Sequence, residues 1–264
     1  MKRLMLALCL AVPLSLGAQE KKFTGDPKTN PGPNWGGQVV KATGAGAPDM
    51  KATSPAQARL GAERAATLDA FRNLLQQVKG LQISAGKTMN DAMAKDEIRA
   101  KVEGIVKGYK ITGKRYYSDG GVEVDVEVPL AMLTDVIDPE PAQQQLATKT
   151  EGEKANTGLV IDARGLKVTP ALAPRVLAAP DAKVVYSVDS LSPDARKSSG
   201  VASYVQSLDE AKKSMKAGDK PLIIKAAEAK GTDLVLAAED LQKLNQTNTS
   251  FLTEGRVVVV MTLN

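Results

Sequence analysis

The chain of 264 residues contains no histidine and a single cysteine, Cys9. Histidine is the one side chain whose unperturbed pKa lies near neutrality, and it is the commonest metal ligand. A serine triad, a cysteine protease and the usual zinc sites therefore lack the residues that build them. What remains is carboxylate, lysine or tyrosine chemistry, and four arrangements deserve weighing. The run Ala42-Thr43-Gly44-Ala45-Gly46-Ala47-Pro48 has the G-x-G start of a phosphate-binding loop, but the third glycine is missing and no helix follows at once. A strand-ending turn is the better reading. Glu123, Asp125 and Glu127 alternate with Val122, Val124, Val126 and Val128. On a strand those acids form a row facing water, whereas calcium needs six or more oxygens around it. Neighbouring Tyr116 and Tyr117 would then sit one on each face. Asp162, Arg164 and Gly165 end a strand and read as a salt-bridged turn. Glu239 and Asp240 fall in the first turn of a helix, where acids complement the helix dipole. No catalytic, cofactor-binding or metal-binding residue is assigned, no cofactor is expected, and the chain reads as a non-enzyme.

The elements that would carry these residues begin with an export signal. Lys2 and Arg3 precede an apolar run from Leu4 to Leu16, broken by Pro13 and Ser15, and Gly17 and Ala18 precede polar Gln19. Residues 1–18 are expected to be a cleavable signal peptide. Leu8 precedes Cys9 and the apolar stretch continues past it, so lipidation there is not expected. Without Lys2 and Arg3 the formal charge falls from +5 to +3. The basic residues are dispersed and aromatics are only 3% of the chain, which gives no footprint for nucleic acid. No later segment reaches the roughly 18 apolar residues of a membrane span. The expected location is periplasmic or secreted, with association to the outer membrane allowed.

Residues 19–35 read as a flexible leader, with Trp35 a packing anchor at its end. Val39 and Val40 begin a strand. Ser54 as N-cap, Pro55 in the first turn and Gln57 three residues after the cap open a long helix. Its inner stripe is expected to be Leu60, Ala65, Leu68, Phe71, Leu75 and Val78, with Gly80 as its stop. Leu81 to Ser84 can form a strand, and a second helix from about Asp91 would turn Met93, Ile98, Val102 and Ile105 inward. A hairpin of Tyr109 to Tyr117 and Val122 to Val128 follows, with Ser118 to Gly121 as its turn. Residues 139–157, with Pro139, Pro141 and Gln143 to Gln145, form a linker. Beyond it, strands are expected at Gly158 to Ala163, Leu166 to Thr169, Lys183 to Val188, Pro221 to Ala227, Asp233 to Leu236 and Gly255 to Leu263. Helices are expected from Ser192, over Leu208 to Met215 and over Ala238 to Leu244. The last strand, uniformly apolar at Val257 to Val260, should be central in its sheet. The fold class is α+β: two small domains, at 36–138 and 158–264, each a mainly antiparallel or mixed sheet packed by helices. The second could be α/β or α+β.

From about residue 40 to 130 the order of features resembles a known family. It comprises the 42–48 glycine run, the segment Ala58 to Leu75, Val106-Lys107-Gly108 and the Asp119-Gly120-Gly121-Val122-Glu123-Val124 hairpin. These are similar to the lipoprotein-20-like domain and to the N-terminal domain of flagellar assembly protein T, which belongs to a ring around the flagellar basal body. The resemblance implies a long helix packed on a sheet and a structural role in the envelope. It supplies no catalytic residues, and this chain departs from the lipoprotein members in lacking an anchoring cysteine at the signal cleavage site. The functional expectation is a non-catalytic periplasmic or outer-membrane-associated scaffold or assembly protein, linked to flagellar or other motility machinery. Its partners would be other envelope proteins, in a ring or homo-oligomer. The alternative is a cell-wall glycan or small-ligand binding module. A carboxylate-based hydrolase is the remaining reading.

Overall fold

A computed structural model describes residues 31–137, 149, 151 and 155–262. The signal peptide, the leader up to residue 30 and most of the linker lie outside the described residues. The N-terminal module runs β1 (Gly32–Asn34), β2 (Val39–Gly46), α1 (Pro55–Lys79), β3 (Gln82–Ser84), β4 (Lys87–Thr88), α2 (Met89–Ala92), α3 (Asp96–Lys107), β5 (Lys110–Tyr116), β6 (Val122–Pro129) and α4 (Leu130–Thr134). Four strands form an antiparallel sheet in the order β1-β2-β6-β5, while β3 and β4 pair separately.

Helix α1 starts where the sequence places it. The Ser54 hydroxyl accepts from the Gln57 amide at 3.2 Å and Pro55 occupies the first turn. The capping box is only half formed, because the Gln57 side chain accepts from Thr53 instead. The expected inner stripe is a larger correction. The buried residues of α1 are Ala62, Ala66, Ala70, Leu74 and Val78, whereas Leu60 and Leu68 are 57% and 58% exposed. The cause lies in β2, whose run at 42–46 is strand rather than a turn. A Cβ on Gly44 would fall 2.6 Å from the Ala70 Cα, and one on Gly46 would fall 2.6 Å from the Ala66 nitrogen. Helix and strand touch backbone to backbone there, so small residues occupy both surfaces and Leu60 and Leu68 turn outward, while Val78 is buried and Phe71 and Leu75 pack against the core as expected. Asp69 and Asn73 fix the register: Ala45 N–H donates to Asp69 at 3.0 Å, and the Asn73 amide donates to the Thr43 carbonyl at 2.9 Å.

The hairpin forms as expected, with Val122, Val124, Val126 and Val128 buried on one face. The expected second helix is divided into α2 and α3, and the α3 core residues are Ile98, Val102 and Val106. The leader reading is corrected at its end, since β1 edges the sheet by pairing Gly32 to Asn34 with Lys41 to Val39.

The C-terminal module comprises β7 (Gly158–Asp162), β8 (Val176–Ala178), β9 (Lys183–Tyr186), α5 (Pro193–Ser198), β10 (Ser203–Val205), α6 (Leu208–Lys213), β11 (Pro221–Lys230), β12 (Asp233–Leu236), α7 (Ala238–Asn245) and β13 (Val257–Val260). Its seven strands form one mixed sheet in the order β10-β13-β7-β11-β12-β8-β9. β13 lies between parallel neighbours β10 and β7, and all four of its valines are buried. Covered faces on both sides explain its unbroken apolar run. The expected strand at Leu166 to Thr169 is absent; Thr169 N–H donates to the Gly231 carbonyl as part of a connection. The fold is thus α+β with two modules, the second carrying a mixed sheet.

The modules are not insulated from each other. Most of their buried apolar side chains form one continuous cluster, with two smaller clusters, around Val160 and Val258 and around Leu177, Val184 and Val235, inside the C-terminal module. Leu172 and Ala173 donate to the Gln82 and Ile83 carbonyls, each at 2.9 Å, and α4 packs against α5. Trp35 meets Tyr204 edge to face, with ring centroids 5.5 Å apart, an arrangement that the ring quadrupoles favour.

Candidate functional site

The acids of β6 stand on the face of the sheet opposite α1, but they are not simply solvated. Asp125 is buried at 4% exposure. Arg115 on β5 grips it through both terminal nitrogens, one at 2.9 Å from Oδ1, and its Nε lies 3.0 Å from Glu123. Thr43 donates to Asp125 at 2.7 Å and Tyr117 donates to Glu123 at 2.8 Å. Burial pushes the Asp125 carboxyl up, but the guanidinium and the Thr43 hydroxyl outweigh it and hold it below the usual carboxylate range. Arg115 is correspondingly raised, first by Asp125. This is a structural clasp across three strands, in which one guanidinium and two hydroxyls serve two carboxylates.

The remaining arrangements resolve in the same manner. Asp162 accepts from the Arg164 backbone at 3.2 Å and from its side chain at 2.9 and 2.7 Å, so Arg164 holds its carboxyl below the ordinary value. Asp240 takes Lys243 at 2.7 Å, and Asp189 takes Arg196 at 3.2 Å. The sequence did not single out Arg175 and Asp233, which join the starts of β8 and β12 through contacts of 2.6, 2.9 and 3.1 Å, with Asp233 buried. Tyr186 and Tyr204 are buried, and their hydroxyls are bonded to backbone at Val201 and Ala171. Among the described residues, no group of three or more histidine, cysteine, aspartate or glutamate side chains could hold a metal ion.

Trp35 is half-buried at the wall of a groove of about 850 Å³ between β1 and the C-terminal module. Its contact with Tyr204 makes it the anchor the sequence suggested. On the other side of the N-terminal module, Leu60 and Leu68 stand out from α1. On the flanking strand β5, Tyr116 is 50% and Ile111 41% exposed. Charged groups tie that flank to the helix: Lys114 bonds Glu63 at 2.5 Å, Tyr116 donates to Glu63 at 3.1 Å, and the Arg59 guanidinium sits 5.9 Å from the Tyr116 ring centre. The β5 edge itself is guarded against strand addition by Lys110, Lys114 and an irregular register between Ile111 and Gly113.

A family described as the second domain of Treponema pallidum Tp0624 matches residues 158–263. That span opens on the first residue of β7, so it is the C-terminal module that is similar to this domain. A search of curated proteins gives no match. Among the described residues no helix is long and apolar enough to cross a membrane.

Proposed function

We propose that this chain is an exported, non-catalytic scaffold or assembly protein of the cell envelope, acting by offering a surface to other envelope proteins. The observation that carries the reading is the outward apolar face of α1. A helix that lies on a sheet gains nothing in its own fold from leucines at its exposed positions, and large apolar side chains exposed together mark contact surfaces. Leu60 and Leu68 hold such positions, and the half-exposed Tyr116 of β5 is tied to the same helix through Glu63 and Arg59. Two of the carboxylates singled out in the sequence add weight, because Asp162 and Asp240 are each spent on a structural ion pair, as is Asp189 on α5's Arg196. The resemblance to lipoprotein-20-like and flagellar assembly domains points to motility or another envelope machine as the setting.

The test compares two classes of variant in the native cell. Single alanine replacements at Asp162, Arg164, Asp189 and Asp240 should leave function largely intact, while the double variant Leu60→Asp, Leu68→Asp should lose it with its fold preserved. A folded carboxylate variant as inactive as a deletion would move the hydrolase reading to first place. The second reading, a cell-wall glycan or small-ligand binding module, draws on the Trp35 groove and would show as saturable glycan binding lost in Trp35→Ala.

A further inference from the structure

A second groove, of about 780 Å³, follows the seam between the modules, within the range of small-molecule sites. The N-terminal module contributes the turn at 36–38 and the start of α4. The other wall comes from α5, β10 and the segment after α6. Two polar groups line it, a buried serine and a part-buried lysine. Ser203 is 4% exposed and its Oγ has no hydrogen-bond partner among the described residues. Lys216 places its Nζ 2.7 Å from the Ser199 carbonyl and 3.2 Å from that of Gly200. Gly255, at φ +69°, fits against the same peptide, and a Cβ there would fall 2.7 Å from the Gly200 oxygen. The carbonyls that hold the lysine are therefore themselves fixed by packing.

We propose that this groove binds a small ligand through one oxyanion head, carboxylate or phosphate, with Lys216 and Ser203 as its donors. An ammonium carries three N–H groups, and the two carbonyls take two of them. A buried donor without an acceptor is costly, and a buried charge without a counter-charge more so. An oxyanion satisfies the third N–H and the serine hydroxyl together and supplies the counter-charge. The other charged groups lining the groove do not serve Lys216. Glu254 is engaged by Arg256 at 2.7 Å, and Asp194 is exposed at the start of α5. Asp194 at the rim disfavours a polyanion, so the ligand has a single anionic head on an uncharged or cationic body. Burial brings the Lys216 pKa down to about 7. A bound oxyanion favours the charged amine and raises it again.

The experiment follows the Lys216 side chain by NMR in full-length mature protein labelled with 13C at lysine, titrated with pH in the presence and absence of sodium acetate or inorganic phosphate. The Lys216 midpoint should lie near 7 without probe and rise by about one unit or more at saturation, a tenfold preference for the charged form. Binding should weaken as pH rises above 7. Lys216→Met should abolish saturable binding and Ser203→Ala should weaken it several-fold. Binding of one probe alone supports the site and fixes its head chemistry. No shift with either probe at tens of millimolar, or binding that persists in Lys216→Met, overturns the proposal. The titration of the parent protein decides the matter even where a variant fails to fold.

Discussion

Replacing Gly44 with alanine should destabilise the N-terminal module severely, while the same change at Gly61, on the opposite side of the same helix–strand pair, should stabilise it. At Gly44 the new methyl would sit 2.6 Å from the Ala70 Cα and closer still to the Ala66 and Ala70 backbone. Carbon atoms settle at about 3.5–4.0 Å, so α1 would have to rise from β2 by roughly 1 Å along its length. Added methyl groups in tight cores cost about 1–3 kcal/mol and occasionally more. Here the obstacle is backbone rather than a movable side chain, so a loss of about 3 kcal/mol or more is expected. Against a typical total of about 5–15 kcal/mol, that is a large fraction. At Gly61 a Cβ meets nothing within 4 Å, and alanine gains about 0.5–1 kcal/mol from helix propensity alone. Urea and thermal melts of the two variants beside the parent measure both. At about 2–4 °C per kcal/mol for a chain of this size, Gly44→Ala should lower Tm by roughly 6 °C or more and Gly61→Ala should raise it slightly. A Gly44→Ala protein within about 0.5 kcal/mol of the parent would refute the backbone-contact account.

Arg115→Met should cost about 2–3 kcal/mol by leaving Asp125 buried without its cation, and adding Asp125→Leu should recover part of the loss in chemical melts. Leu60→Lys and Leu68→Lys, at exposed positions, should each change stability by less than about 0.5 kcal/mol in the same melts. Stability should also depend on pH through Lys216. Its folded pKa, about 7, lies below the unfolded value near 10.5, so the unfolded state holds more protons between those limits. The contribution of Lys216 is therefore least favourable below pH 7 and climbs from 7 towards 10, by about 2–4 kcal/mol. Near pH 10 it is opposed by the buried Tyr186 and Tyr204, whose hydroxyls burial pushes up. No histidine titrates to obscure the slope, and Lys216→Met should flatten it in melts across that range.

Much of the fold was legible where local signals and burial agree. The caps at Ser54 and Ser192, the alternating valines of β6 and the uniform valines of β13 each state their environment in a few residues. The α1 face was only partly legible: Val78 is buried and Phe71 and Leu75 pack against the core as expected, but the first half of the buried stripe is alanine, so apolar periodicity drew Leu60 and Leu68 to the wrong side. The glycine run was misread for the same reason: Gly44 and Gly46 answer to a helix twenty residues away, not to a turn of their own. Three-residue strands such as β1, β8 and β10 depend on distant partners and leave little local pattern. The β6 acids were placed on the correct face, but the cover that Arg115 gives Asp125 needed the β5–β6 register. Lys216 and Ser203 belong to no motif, and the groove they line exists only because the N-terminal module supplies its other wall.

The surface role of α1 is tested most directly by placing a photo-crosslinking amino acid at Leu60 or Leu68 in the native cell, with Lys230 on β11 as the control position. The proposed function predicts a discrete adduct with another envelope protein from both α1 positions and none from the control, abolished when the remaining leucine is changed to Asp. Irradiation that yields no adduct at either leucine in cells where the protein is functional would contradict it.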